Sequence, residues 1–268
     1  MIPSARSLRL WPQFDSILPQ DINPRLSTVK PPIRDLFVRG SLEPGLRRAR
    51  VGIIGSRSAS GIAATWAEDT AAQLVRAGWV VVSGGARGID AAAHRGALKA
   101  AGLTWWVSGT AVDKVYPAEH RALLRRILAA NGALISEVPP GGNTGRHVFR
   151  LRNRIIAGLV DALIVVAADE RSGSLSTADY ALEQGTPVFV PEIGHIPETA
   201  GIHRLRSRPE IGSLSLENLF TELSKSRGNC IGRPGLRGKC SSETSANQHI
   251  GVCREHEEST CCRDGNHR

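Results

Sequence analysis

The chain is poor in aromatic residues, and its cysteines are confined to one end. Phe, Trp and Tyr make up 4% of its 268 residues, so a core must be built mainly from Val, Ile, Leu and Ala. The five cysteines all follow residue 229: Cys230, Cys240, Cys253, Cys261 and Cys262. A disulfide framework is therefore excluded for the part that precedes them. Their spacings also do not match the short Cys-x-x-Cys pattern of zinc sites.

Several function classes lack their sequence signals. No run of about 18 apolar residues is present, so no membrane-spanning helix is predicted. No signal-peptide pattern is found either, and we therefore expect a cytoplasmic protein without a membrane partner. The chain contains neither a P-loop pattern nor a GxSxG elbow, and no loop carries paired carboxylates. We expect no catalytic residue, no metal site and no cofactor.

Short apolar runs alternate with helix-like segments from residue 51 onward. The runs are Val51–Ile54, Trp79–Val82, Thr104–Val107, Ala133–Ile135, Ala162–Val166 and Val188–Val190. The helix-like segments are Ile62–Ala77, Ala91–Ala100, Glu119–Ala130, Asn153–Leu159 and Leu175–Gln184. Strands that are almost entirely apolar are buried on both faces, as in parallel sheets covered by helices. The pattern predicts an α/β fold with an extended Rossmann-like, mostly parallel and doubly wound sheet.

Changes in composition divide the chain into three parts. Residues 1–45 form an N-terminal extension and lead-in, in which the stretch Pro31–Gly40 predicts a short strand. Residues 46–224 form the Rossmann-like domain, which is expected to end in a helix over Ser215–Leu223 that its first residue caps. Residues 225–268 are rich in small, polar and charged residues, which predicts a disordered tail containing Cys and His.

Two loops near the start of this domain have the composition of phosphate-binding loops. Gly55, Ser56 and Arg57 follow the first apolar run, and Ser83–Asp90 (SGGARGID) follows the second. Glycine lets the backbone approach a phosphate, while arginine and the N–H groups of a helix start bind anions. In a parallel sheet such loops share one edge, where ligands bind. The second run does not end in an acidic residue, which argues against ordinary NAD binding.

Two residues of the second loop and its helix have a structural interpretation. Asp90 is interpreted as the cap of the helix that starts there, in preference to a catalytic carboxylate. His94 lies one turn into that helix. We interpret it as a packed or hydrogen-bonded histidine of the core, in preference to a catalytic base.

Two further segments extend this edge of the predicted sheet. Arg146–Arg154 interleaves basic residues with Phe149 and stands directly before a predicted helix, while Ser172, Gly173 and Ser174 follow the fifth run. Guanidinium groups bind phosphates and an aromatic ring stacks on a base, so the segments together predict one extended groove for single-stranded nucleic acid. A formal net charge of +9 also favours a polyanionic partner.

Several motifs occur in the order typical of one known family. They are GSR at 55–57, SGGARGIDAAAHRGAL at 83–98, VYPAEH at 115–120, SEVPPG at 136–141, RNRIIAGL at 152–159 and RSGSLSTADYALEQGTPVFVP at 171–191. From about Pro24 to about Leu223 the chain resembles the DNA-processing protein A family, also called DprA or Smf. The resemblance implies a Rossmann-like protein that binds single-stranded DNA, protects incoming DNA and loads the RecA recombinase onto it in natural transformation.

The resemblance also implies partners and contact residues. Family members usually dimerise and are not regarded as enzymes, so the expected partners are single-stranded DNA, RecA and a second copy of the chain. Carried over by position, the DNA-contacting residues are Gly55, Ser56, Arg57, Arg87, Gly88, Phe149, Arg152, Asn153, Arg154, Ser172, Gly173 and Ser174.

A nucleotide-binding or nucleotide-hydrolysing enzyme is the alternative function. Phosphoribohydrolases with a Rossmann-like fold carry a PGGxGTxxE motif, which the segment Pro140–Gly145 resembles in part. Glu137, at the end of a predicted strand, is the candidate for a catalytic carboxylate. Release of free base from AMP that is lost in Glu137→Gln would indicate this alternative.

Overall fold

A computed structural model describes residues 14–142 and 145–228. The strands are β1 (Asp15–Ile17), β2 (Leu36–Gly40), β3 (Arg50–Ile54), β4 (Val80–Ser83), β5 (Thr104–Ser108), β6 (Ala133–Ser136), β7 (Ala162–Val165), β8 (Val188–Pro191) and β9 (Ile211–Leu214). The α-helices are α1 (Pro19–Ile22), α2 (Glu43–Leu46), α3 (Gly61–Arg76), α4 (Ile89–Lys99), α5 (Arg121–Ala129), α6 (Arg146–Leu159), α7 (Gly173–Glu183), α8 (Ala200–Arg206) and α9 (Leu219–Gly228). Two 3-10 helices span Pro24–Thr28 and Ala118–His120.

These strands form one twisted sheet in the order β1-β2-β6-β5-β4-β3-β7-β8-β9. The pairs from β6 through β3 to β9 are parallel, whereas β1 and β2 are antiparallel to their neighbours. The chain builds β3 to β6 outward in one direction and then returns to place β7 on the other side of β3. The predicted mostly parallel, doubly wound α/β fold is confirmed.

Helices cover both faces of the sheet because the strands are apolar on both sides. Ile54 packs into the cluster that contains α6 and α7, while its neighbour Ile53 packs into the cluster that contains α3 and α4. Val82 and Val81 of β4 divide in the same way between the two faces. This alternation follows from the two-residue period of a strand. Among the described residues, no helix has both the length and the apolar character that crossing a membrane requires.

The structure differs from the sequence predictions at several boundaries. α6 begins at Arg146, so the basic run is itself helical. The last helix begins at Leu219, because Ser215 and Asn218 form a turn in which each side chain accepts from the other's backbone N–H, at 3.2 and 2.8 Å. The strands β1 and β9 were not predicted. Of the predicted disordered tail, residues 225–228 belong to α9 and the remainder lies outside the described residues.

The core interpretation of His94 is confirmed. Its ring is fully buried and stacks on Trp106 at a centroid distance of 5.6 Å. Its Nδ1 lies 2.7 Å from the hydroxyl oxygen of Thr104, whose hydrogen is donated to the carbonyl of Val81. Nδ1 must therefore carry the proton. Burial, with smaller contributions from nearby positive groups, lowers the pKa of His94 to about 3.

We expect His94 to make the fold sensitive to mild acid. Because its pKa falls from 6.5 to about 3 on folding, the unfolded chain binds a proton in this window that the folded protein does not. Stability from this residue is complete above pH 6.5 and falls by about 1.4 kcal/mol per pH unit below it. The free energy of unfolding, measured with urea, falls between pH 7 and pH 5. This fall should be about 2 kcal/mol smaller in His94→Leu than in the unmutated protein.

The exposed His203 on α8 supplies the matched control for this measurement. His203→Leu should retain the full pH dependence of the unmutated protein. An equal pH dependence in His94→Leu and the unmutated protein would show that His94 does not cause the acid sensitivity.

Candidate nucleic-acid interface

The reversal of strand order opens a cleft between the carboxyl ends of β3 and β7. Parallel sheets bind ligands at such a point, because the loops there diverge to opposite faces. The cleft has a volume of about 900 Å³. It is lined by the loop after β3 (Ile54–Ser58), by Ala86 and Asp90 after β4, by one face of α6, by Asp169–Ser172 after β7, by the start of α7 and by Arg204 of α8.

Helical periodicity determines which residues of α6 reach this cleft. Phe149, Arg152, Asn153 and Ile156 line it, at the spacing of three and four residues that one helix face requires. The adjacent Arg154 points into the protein instead, where its side chain is 1% exposed.

Arg154 makes three structural contacts on that side of the helix. Its guanidinium donates to Glu137 at 2.7 Å, to the carbonyl of Pro31 at 2.9 Å and to the carbonyl of Leu151 at 2.7 Å. Because the basic run is a helix, its arginines diverge in direction. The structure therefore does not bring Arg154 together with the other residues implied by the resemblance.

The carboxylate proposed for the enzymatic alternative is engaged by this same arginine. Glu137 follows β6, accepts from Arg154 and does not line the cleft. In the glycine-rich segment after it, Asn143 and Thr144 lie outside the described residues. The geometry therefore gives Glu137 the role of holding Arg154.

A buried pair of opposite charges forms the floor of the cleft. Arg152 is 7% exposed and donates through Nη1 to the carbonyl of Val107 at 3.1 Å. Asp90 is 5% exposed and accepts from the backbone N–H groups of Ala86, at 3.2 Å, and of Gly55. Burial raises the pKa of Asp90 and lowers that of Arg152, and each charge opposes the shift of the other. The pair joins the loops after β3 and β4 to α6.

The cap assigned to α4 from the sequence is wrong. Gly88 occupies the cap position, while Asp90 lies within the first turn and its carboxylate turns back to Ala86 in the preceding loop. Asp90 accepts there because its side chain is directed toward the backbone N–H groups of the two loops instead of those of its own helix. It therefore positions the loops after β3 and β4 against each other.

Two glycines permit this close approach. A Cβ atom at Gly84 would overlap the guanidinium of Arg152 and would lie 2.5 Å from Asp90. Gly88 has a φ of +69°, and a Cβ atom there would overlap the carbonyl oxygen of Ser56. That carbonyl accepts from the backbone N–H of Ile89 at 3.2 Å. The loops after β3 and β4 therefore contact each other directly.

The start of α7 forms the other wall of the cleft. Ser172 caps this helix and accepts from the N–H of Ser174 at 3.2 Å. Asn153 donates to the carbonyl of Gly173 at 3.1 Å, which fastens α6 to α7. The helix start lies at the cleft with its partial positive charge, an arrangement that favours an anion.

Four exposed arginines line the cleft, and they come from four different segments. They are Arg57, Arg150, Arg171 and Arg204. Of the acidic residues at the rim, Asp179 is paired with Arg208 at 2.7 Å.

Thr199 positions α8 beside the loop after β7. Its hydroxyl accepts a hydrogen bond from the backbone N–H of Ala168 and donates one to the carbonyl of the same residue. Arg204 could not be found from the sequence, since α8 lies where the predicted alternation ends.

Arg87 lies beside the cleft and is already paired. Its guanidinium donates two hydrogen bonds to Glu119, at 2.5 and 2.6 Å, and both side chains are exposed. These hydrogen bonds raise the pKa of Arg87 and lower that of Glu119. The structure places Arg87 near the predicted groove, but its charge is neutralised by a neighbouring carboxylate.

Residues 14–212 match the family model described as DNA recombination-mediator protein A. The chain belongs to this family. It is 36% identical over 199 residues to the DNA processing protein DprA of Bacillus subtilis, which covers 74% of this chain and 67% of that protein. It is 40% identical over 154 residues to the protein Smf of Escherichia coli, which covers 58% of this chain and 41% of the relative.

Solved structures of family members have the same fold. The DNA processing protein A of Streptococcus pneumoniae is 33% identical with a TM-score of 0.69, over 78% of this chain and 74% of that one. The Helicobacter pylori protein, whose structure concerns its mode of binding single-stranded DNA, is 26% identical with a TM-score of 0.70, over 81% and 97%. The chain spans between 38% and 67% of the length of the curated relatives it matches. The resemblance that the motifs indicated is confirmed.

We expect Gly88→Ala to destabilise the contact between the loops after β3 and β4. The substitution forces a side chain into a left-handed backbone conformation and against the carbonyl of Ser56, at a cost of about 1–3 kcal/mol. Urea unfolding measures this loss. Gly61→Ala is the control, because its Cβ meets nothing within 4 Å at the start of α3. A Gly88→Ala variant as stable as this control would contradict the expectation.

Proposed function

We propose that this chain binds single-stranded DNA along the cleft between β3 and β7 and acts without catalysing a reaction. The observation that carries the proposal is the convergence of four exposed arginines and the start of α7 on one cleft, with Phe149 in its wall. Arginines neutralise phosphates, and an aromatic ring stacks on an unpaired base. The membership of the chain in the recombination-mediator family supports the same conclusion.

The proposed contacts are distributed along the strand. Arg57 and the backbone around Gly55 and Ser56 hold one phosphate, and the start of α7 around Gly173 holds another. Phe149 stacks on a base between them. Arg152 and Asn153 act through the floor and wall that they stabilise, because both side chains are buried and bonded to backbone carbonyls. Phosphate and stacking contacts carry no base code, so little sequence preference is expected.

The cellular role of the chain can be proposed from the family to which it belongs. We propose that it protects incoming single strands in the cytoplasm and loads the RecA recombinase onto them, as a homodimer. The relatives named as DNA processing proteins support this role. RecA filament growth on a single strand should start sooner in the presence of the chain, and light scattering should give twice the chain mass.

Arg57→Ala is expected to weaken oligonucleotide binding. The loss of one phosphate contact should reduce the slope of log affinity against log salt by about 0.7. Fluorescence anisotropy with single-stranded and duplex oligonucleotides, titrated with salt, measures both the slope and the preference between the two DNA forms. Arg76→Ala is the matched control, because Arg76 is exposed at the far end of α3. Preference for duplex, or unchanged binding by Arg57→Ala, would count against the proposal.

Glu119→Gln is expected to release Arg87 for a phosphate. The amide cannot neutralise the guanidinium, so the salt slope for single-stranded DNA should become steeper by about 0.7. In an Arg87→Ala background the same substitution should leave the slope unchanged, and this double variant is the control. A slope that Glu119→Gln does not alter would show that Arg87 does not reach the DNA.

A further inference from the structure

A large aromatic side chain stands exposed next to the cleft, on the connection between β5 and α5. Tyr116 is 57% exposed, although the residues before it are firmly held. The hydroxyl of Thr110 donates to the carbonyl of Lys114 at 2.9 Å, and Val115 packs against the cluster that contains Trp106 and Leu124. The ring of Tyr116 is therefore presented to solvent by a well-ordered loop.

Tyr116 contacts the aromatic residue that lines the cleft. Its ring lies 5.2 Å from the ring of Phe149 at an angle of 57°. Phe149 is itself positioned by Gly109, where a Cβ atom would lie 2.6 Å from the Cδ1 of the phenyl ring. The two rings thus form a continuous aromatic surface that begins in the wall of the cleft and continues onto the neighbouring loop. We call Tyr116 and Phe149 the aromatic pair.

The segment that follows Tyr116 binds Arg87. Glu119, three residues further along the chain, accepts two hydrogen bonds from the guanidinium of Arg87. The ammonium group of Lys114 is bound at 3.0 Å to the carbonyl of Gly142, which ties the loop of Tyr116 to the segment after β6. The aromatic pair therefore connects the cleft with the region around Arg87 and Lys114.

Because Tyr116 is exposed, core packing does not explain why a large aromatic residue stands at this position. An exposed ring on a rigid loop loses little conformational entropy when a planar group stacks on it, because its only soft torsions are two χ angles. A nucleobase is such a group, and it can reach the ring when it is not paired within a duplex. A ring adjacent to a phosphate-binding cleft therefore distinguishes single strands from duplexes without reading their sequence.

We propose that Tyr116 is a base-stacking residue that, together with Phe149, gives this chain its preference for single-stranded over double-stranded DNA. The proposal rests on the proposed function, since it presupposes that a strand occupies the cleft. It extends the path of the strand beyond the cleft, over the loop after β5 and toward Arg87. The substrate class is a strand with at least one unpaired base beside the phosphates held by Arg57.

The test compares Tyr116→Leu with Tyr116→Phe on three DNAs of equal length. These are an oligothymidylate, an oligomer of the same backbone without bases, and a duplex. Leucine keeps the apolar bulk but removes the ring, so oligothymidylate affinity should fall about 5- to 100-fold, while phenylalanine should keep it within about twofold. Because tyrosine carries no charge, the salt slope should remain that of the unmutated protein.

The unmutated protein, Tyr116→Leu and Tyr116→Phe should bind the base-free oligomer equally well, and likewise the duplex. The ratio of single-strand to duplex affinity should therefore fall in Tyr116→Leu alone. Equal losses on the oligothymidylate and the base-free oligomer, or no loss at all in Tyr116→Leu, would overturn the stacking role and leave the proposed function intact. Absence of oligothymidylate binding by the unmutated protein would overturn both. Unchanged binding of the base-free oligomer and the duplex by Tyr116→Leu shows that the leucine variant is folded.

Discussion

The buried guanidinium of Arg152 is the constraint on which the candidate interface depends. It holds the carbonyl of Val107 at the end of β5 and lies beside Asp90, which in turn binds the backbone N–H groups of Ala86 and Gly55. Four separate segments therefore meet at one pair of charges. A buried charge without its partner costs several kcal/mol, so these segments are compelled to keep their mutual positions.

This arrangement explains why glycine and not a larger residue stands at the points of contact. Gly84 leaves room for the guanidinium, and Gly88 lets the loop after β4 touch the carbonyl of Ser56. The loops remain close enough that their donors face the same volume. Exposed arginines from α6, α8 and the loops after β3 and β7 then add positive charge at the rim, where it is accessible to a polyanion.

Much of the fold could be predicted from the sequence. The six apolar runs from Val51 to Val190 each became a strand, β3 to β8, between two layers of helices. The motifs indicated the family, and the loops at Gly55–Arg57 and Ser172–Ser174 indeed line one cleft. The basic run was harder, because a cluster of arginines does not show in which direction each one points. Arg154, which the resemblance implied as a DNA contact, is buried against Glu137, whereas Arg204 of α8, which was not predicted, lines the cleft.

The sequence by itself determined the alternation of strands and helices, the phosphate-binding composition of the loops and the membership of the chain in its family, because these depend on local residue order. Only the tertiary structure decided which charges are available. Arg87 forms an ion pair with Glu119, and Arg154 forms one with Glu137. The tertiary structure also places Tyr116 beside Phe149. The partners in each of these pairs lie 17 to 33 positions apart in the chain, and the fold alone brings them together.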